Sequence, residues 1–244
     1  CSKICDSISI KITAPEIPDY YFHDSTFSTI TIGEGVETIG VGSFDNCNCH
    51  LKFESNTLSE IKEGAFFGGT FTVDGNSYTH DEKEILSAVI KAEKLSTIGE
   101  SAFRNAKFSI GSYSHLDKCE ITLVLNSELI KIDDYAFSQI GNSQGREFNF
   151  ILQINEASHP NLEKIGDNIF YSSSKSFEGS IISPSELKFT NKLVYVGDYA
   201  FYNSINLEKI TFSSFPDPFT KIGKFAFTSK EINGITTLRV KNVG

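Results

Sequence analysis

The pattern Ile/Val-x-x-x-x-Phe occurs eight times, as IPDYYF (17–22), IGVGSF (39–44), IKEGAF (61–66), IGESAF (98–103), IDDYAF (132–137), IGDNIF (165–170), VGDYAF (196–201) and IGKFAF (222–227). Successive Phe residues of these hexads are 22, 22, 37, 34, 33, 31 and 26 positions apart. A shortest period of 22 lengthened later by insertions marks a solenoid, because one such coil buries its apolar side chains only by stacking on the next.

Other slots keep the same phase. Three residues before each hexad stand Ala14, Val36, Leu58, Leu95, Leu129, Leu162, Leu193 and Phe219, all apolar in a chain that is 39% hydrophobic. Upstream of that slot run alternating segments: SISIKI (7–12), STITI (28–32), HLKF (50–53), EITLVL (120–125), FILQI (150–154), ELKF (186–189) and KITF (209–212). Period-2 alternation predicts strands with one buried face. The unit therefore reads as strand, turn, apolar residue, then a hexad forming a tight turn or short 3-10 coil that drives Ile and Phe inward. Gly or Asp after the Ile suits that turn.

Register also bears on DEKEILSAVIKAEK (81–94), whose Ile85/Val89 and Leu86/Ile90 pairs have helical spacing. Counting back nine from Ile98, as Ile30 precedes Ile39 by nine, puts Val89 in the strand slot and predicts a strand over about 88–92.

Three residues after each hexad Phe come Ser25, Cys47, Gly69, Ala106, Ile140, Ser173, Ser204 and Lys230, mostly small. Cys47 is expected to be a buried, unreactive member of that ladder. The other cysteines are Cys1, Cys5, Cys49 and Cys119, and CNCH (47–50) is a single cramped cluster without the paired spacing of a zinc knuckle. No metal or other cofactor is expected. A chain that starts at Cys1 and contains no Met is expected to be a trimmed or processed segment, with Cys1 either a lipidated bacterial lipoprotein cysteine or an arbitrary boundary.

A net charge of −9 without a Lys/Arg cluster disfavours nucleic acid as a partner. The longest apolar runs, ILSAVI (85–90) and ITLVL (121–125), fall far short of the roughly 20 residues that span a bilayer. Twenty-one Phe against no Trp point to one repeated slot that demands Phe. Asn-x-Ser/Thr sequons are absent, which leans toward a bacterial source or a chain that avoids glycosylation.

The hexads, the small or Cys residue beyond them, AFYNSINLEKITF (200–212) and ITIGEGVETIG (30–40) together resemble the BspA-like leucine-rich repeats. That unit reads roughly Ile-Gly-x-x-Ala-Phe-x-x-Cys-x-x-Leu-x-x-Ile-x-Ile-Pro-x-x-Val. The resemblance runs from about Ile8 to Val240. It implies a leucine-rich repeat solenoid of the right-handed β/α superhelix class, mainly β with short 3-10 turns, about eight repeats stacked on one parallel sheet. Residues 1–13 are expected to cap a single solenoid domain over 14–244, with insertions near 67–88, 104–119, 138–149 and 171–185. The sequence departs from the pattern in keeping the family's Cys only at Cys47 and in carrying Gly33 where the Pro is expected.

The resemblance implies a non-enzymatic, cell-surface or secreted protein associated with adhesion and virulence. It implies a protein ligand such as the host matrix proteins fibronectin or fibrinogen, and a monomer. A structural spacer or a carbohydrate-binding accessory module are the alternatives. The residues agree that catalysis is not expected: His23, His50, His80, His115 and His159 are scattered, and YFHDS (21–25) and YTHDE (78–82) lack a hydrolase signature around them. The outward strand face reads Thr29, Thr31, Lys52, Thr122, Lys188, Thr190, Thr211 and Ser213, polar and without aromatics. Ligand contacts are therefore expected from the insertion aromatics Tyr78, Tyr113 and Tyr171 and from Phe215 of FPDPF (215–219), beside Thr31, Lys52 and Lys188 of the sheet.

Overall fold

Each hexad begins as a two-residue strand ending on its first Ile or Val. These eight strands, Glu16–Ile17, Thr38–Ile39, Glu60–Ile61, Thr97–Ile98, Lys131–Ile132, Lys164–Ile165, Tyr195–Val196 and Lys221–Ile222, pair in parallel, in chain order, along one ladder. The structure is a computed structural model, which describes residues 4–80, 83–111, 118–143, 147–154, 161–171, 177–183, 186–190, 192–202, 209–212 and 221–227.

The hexad is not a 3-10 coil. Its fourth residue is left-handed in every copy: Tyr20, Gly42, Gly64, Ser101, Tyr135, Asn168, Tyr199 and Phe225 have φ between 52° and 58°. A left-handed residue breaks the right-handed run that a 3-10 turn requires. The chain thereby doubles back, so that the fifth residue (Ala65, Ala102, Ala136, Ala200) and the Phe both point inward and are buried.

Those Phe rings form the spine of the core. Phe22, Phe44, Phe66, Phe103, Phe137 and Phe170 stack in succession with centroids 5.2, 5.0, 4.9, 5.4 and 5.6 Å apart. That spacing follows the strand separation, since each coil advances by one backbone hydrogen bond. Phe44 N–H donates to Ala65 O at 2.7 Å and Phe66 N–H to Ala102 O at 2.7 Å.

Close coil stacking also explains the Gly in second place of five hexads, Gly40, Gly99, Gly166, Gly197 and Gly223. A Cβ on Gly197 would lie 2.4 Å from the backbone nitrogen of Asp167, and one on Gly40 would lie 2.6 Å from Ile17 O. Glycine is needed at these two positions for proximity. The third residue of the hexad ties coils together: Asp134 Oδ1 accepts the Asp167 N–H (3.1 Å), Asp167 Oδ1 that of Asp198 (2.8 Å) and Asp198 Oδ1 that of Lys224 (2.6 Å).

The longer strands divide where one parallel sheet was expected. Ile4–Ile12, Thr26–Ile32, Asn48–Phe53, Thr70–Val73, Lys107–Ile110 and Gly141–Asn142 form a six-stranded parallel sheet. Lys83–Lys91, Lys118–Leu125, Glu147–Ile154 and Phe177–Ser183 form a second parallel set, edged by the antiparallel Asn76–His80. Glu186–Phe189 pairs with Lys209–Phe212. The insertions cause the division, because a long repeat spends one strand segment before its insertion and another after it.

Residues 83–91 are a strand, but Val89 faces out, 56% exposed, while Ala88 and Ile90 are buried. The turn explains the shift. Four positions separate Ile32 from Val36 and Leu125 from Leu129, but only three separate Ala92 from Leu95, so counting nine back lands one residue early. Cys47 is buried and free, as is Cys49, and Cys119 is buried.

Candidate functional site

The outer face of the second sheet is less polar than the alternation suggested. Tyr78, on the antiparallel edge strand opposite Ile85, reaches across to Glu120 and donates its hydroxyl to Oε2 at 2.5 Å. Burial first, and then this carboxylate, push the Tyr78 phenol up to about 12. Glu120 is only 7% exposed and also accepts from Asn149 Nδ2 at 3.3 Å, with Lys118 Nζ 3.9 Å from its Oε1. Tyr78 thus serves partly to satisfy a buried carboxylate.

On the six-stranded sheet, Thr31 sits in register between Lys11 and Lys52 and is 9% exposed, and Thr122 on the second sheet is 6% exposed. Neither is an open contact residue. Thr31 is covered because a short side chain between two long ones is shaded by their stems. Lys52 remains half-exposed but is committed to Asp74, Nζ to Oδ2 3.1 Å, and Asp74 also meets His50 Nε2 at 2.8 Å. The hydrogen bond from Lys52 holds the Asp74 carboxyl below its usual range.

Among the remaining expected contact residues, Tyr171 is 40% exposed and follows the hexad Phe170. Tyr113 and Phe215 lie outside the described residues, and Lys188 lies in Glu186–Phe189 in register with Thr211, with only its backbone described. The expected set is therefore not one cluster: Tyr78 belongs to the strand side and Tyr171 to the hexad turns.

Those turns carry a surface that strand alternation could not reveal. The left-handed fourth position holds Tyr20, Tyr135, Tyr199 and Phe225, and the position after the hexad Phe holds His23, Arg104, Tyr171 and Tyr202. The Tyr199 and Phe225 rings stack at 5.2 Å, Tyr202 meets Tyr199 edge-on at 5.6 Å, and the Arg104 guanidinium lies 5.1 Å from the Tyr135 ring centre. Phe225 is 58% exposed and Tyr20 59%. An aromatic in a left-handed conformation costs about 1 kcal/mol over glycine, which two other copies use there. The usable signal was an aromatic at the fourth place in four of eight hexads.

His23 is bracketed by Asp24 (Nε2 to Oδ2, 3.0 Å) and Asp45 (Nδ1 to Oδ2, 3.1 Å) at the N-terminal end of this surface. The Ser25 hydroxyl donates to the His23 carbonyl oxygen (3.1 Å), and no nucleophile is hydrogen-bonded to the His23 imidazole among the described residues. No group of three or more His, Cys, Asp or Glu that could hold a metal ion is found among the described residues.

With this geometry in view, the repeat can be compared with known families. The family model described as BspA type leucine rich repeat region matches six copies, over residues 15–108, 75–175 and 108–237. The chain belongs to the BspA-type leucine-rich repeat family. Comparison with curated proteins gives no match. The eight hexad strands are the structural form of the family's repeat; the Ile or Val of the first seven, Ile17 to Val196, is buried in the core described above, whereas Ile222 of the last is 45% exposed. No described helix is long and apolar enough to cross a membrane.

Proposed function

We propose that this BspA-type repeat chain is a non-enzymatic, surface-displayed or secreted adhesion module that binds an extracellular protein, host matrix proteins being the first candidates. The observation that supports it is the aromatic surface of the hexad turns, where Tyr199 packs against Tyr202 and Phe225, Tyr135 lies beside Arg104, and Tyr171 is exposed. Tyr and Arg are the residue types that dominate binding energy at protein interfaces. They stand here on a rigid, hydrogen-bonded scaffold, so little ordering entropy is lost on binding. The net charge of −9 favours a basic ligand face.

The test is saturable binding of the purified chain to immobilised fibronectin, fibrinogen and a glycan array at physiological salt. Tyr171→Ala with Phe225→Asn is expected to weaken protein binding about tenfold or more, Asn being chosen because it tolerates the left-handed backbone. Binding that ignores both substitutions removes this surface from the reading. Absence of binding to every surface supports a spacer role instead.

A further inference from the structure

The strand ladder is broken between the third and fourth coils. Asn48–Phe53 pairs with Thr26–Ile32 as far as Phe53, but with Thr70–Val73 only as far as His50. Lys83–Lys91 pairs with Lys118–Leu125 as far as Lys91, but with Asn76–His80 only up to Ser87. Leu51–Phe53 and Ala88–Lys91 are therefore each paired on one side only, and their open edges face a shared cleft. It has a volume of about 210 Å³ and is lined by 51–54, 73–74 and 88–90.

The same two coils are joined elsewhere, at Ile61 with Ile98 in the hexad ladder. Along the cleft the Cα atoms of the two strands stay more than 8 Å apart over nearly all of their length. Paired strands lie about 4.8 Å apart, so one further strand needs about twice that distance.

The backbone groups point the right way. Glu54 N–H donates to Ile32 O at 2.8 Å, and Ala92 N–H to Val124 O at 3.0 Å, both away from the cleft. Since successive peptide groups alternate, the N–H groups of Phe53, Val89 and Lys91 point into it. The cleft floor is apolar, with Leu51, Val73, Ala88 and Ile90 buried and Phe53 partly buried. Its rim is charged but neutralised, Lys52 by Asp74 at 3.1 Å and Lys11 by Glu54 at 2.7 Å.

We propose that this break in the ladder is a docking site for an extended, uncharged peptide segment of a partner protein, which adds as a strand between Asn48–Phe53 and Lys83–Lys91. Two open edges supply hydrogen bonds to alternate peptide groups of the incoming segment, as in other β-strand additions. The apolar floor takes every second side chain. The charged residues that line the cleft, Lys52, Glu54 and Asp74, are each already matched, which selects a neutral segment with small polar residues outward. The Asp74–Gly75 turn closes one end, so about three or four residues fit, at about 3.3 Å each. The site lies apart from the aromatic surface and does not rest on it.

The test follows amide hydrogen exchange at Phe53, Val89 and Lys91 of the whole chain. The probe is the synthetic peptide acetyl-Thr-Val-Thr-Val-Thr-amide at a few millimolar, suited to an affinity of about 1 mM. Exchange at these amides is expected to slow about fourfold, the factor 1 + [L]/Kd that a few millimolar peptide gives at that affinity. The same peptide N-methylated at every second residue is expected to give no slowing. No slowing with the first peptide, or equal slowing with both, overturns the proposal. So does protection without peptide: if independent of protein concentration, the chain fills its own cleft, and if lost on dilution, a second copy does. The readout involves no residue of the aromatic surface, so the two readings fail separately.

Discussion

Phe66 and Phe103 lie face to face, their centroids 4.9 Å apart and their planes within 6° of parallel, although 37 residues separate them. The preceding pair, Phe44 and Phe66, has nearly the same geometry at 5.0 Å and 2° with a separation of only 22. The hexad ladder is therefore indifferent to the insertion between its rungs. What a repeat adds beyond the minimal coil is looped out on the strand side, and the stacking of one coil on the next is preserved.

Phe103→Ala removes a ring enclosed by Phe66 and Phe137, and is expected to lower stability by about 3–5 kcal/mol. Urea unfolding of the variant measures it. Phe103→Leu, which keeps most of the volume, is expected to lose less than half as much. A melting curve superimposed on the parent's contradicts the place of Phe103 in the core.

Gly197→Ala tests the close approach of coils. Its added methyl would have to displace the Asp167 and Gly166 backbone, both 2.4 Å away, and neither is the end of a flexible side chain. A loss of about 1–3 kcal/mol in equilibrium unfolding is expected. A neutral or stabilising result, the usual outcome for Gly→Ala where space is free, contradicts the explanation of the Ile-Gly step.

The hexad pattern made the fold legible because packing repeats: Ile39, Phe44, Val36 and Cys47 are each placed in the core by a slot that recurs along the chain. Two things were not legible. Val89 was placed one residue out because the shortened turn before Leu95 leaves no mark in composition, only in count. The aromatic turn surface leaves no trace in strand alternation, because its residues lie in or directly after the hexads and not in the strands. Tyr135, Tyr199 and Phe225 lie at a left-handed turn position whose outward direction follows from backbone conformation. Thr31 failed as a surface residue for a third reason, since its cover comes from neighbouring coils, which are 20 and 21 residues away.

Tyr78 and Glu120 form a pair 42 residues apart whose coupling is measurable. Tyr78→Phe leaves a mostly buried carboxylate with one donor fewer, at an expected cost of about 1–2 kcal/mol, since a hydrogen bond to a charged group carries more than a neutral one. In the double-mutant cycle with Glu120→Gln, the two losses are expected to be less than additive. Strict additivity separates the two residues energetically and leaves Tyr78 free as a contact residue.

The thiols of Cys47, Cys49 and Cys119 are buried. A hydrogen bond with Cys47, followed by burial, pushes the Cys49 thiol up, so its reactive thiolate is suppressed. Alkylation followed by mass spectrometry is expected to label these three only at the rate of unfolding, accelerating in parallel with added urea. Rapid labelling of Cys49 in native buffer contradicts its place in the core.

Asp133 carries the clearest pH dependence. Burial pushes its carboxyl up, but hydrogen bonds from Lys164 (2.8 Å) and the nearby Lys131 (3.1 Å) outweigh this and leave it below its ordinary value of 3.8. A carboxylate lowered on folding binds fewer protons when folded than when unfolded, so its contribution is complete above the unfolded value and disappears as pH falls through the folded one. Asp133→Asn is therefore expected to be less stable than the parent at pH 7, by no more than about 1 kcal/mol because both lysines are substantially exposed. The difference should shrink as pH falls below 3.8 and as salt screens the pair. Thermal melts of both proteins across that range, at low and high salt, measure it. A stability gap that stays constant from neutral to strongly acid pH contradicts the ion-pair account and assigns the loss to packing of the side chain against its neighbours.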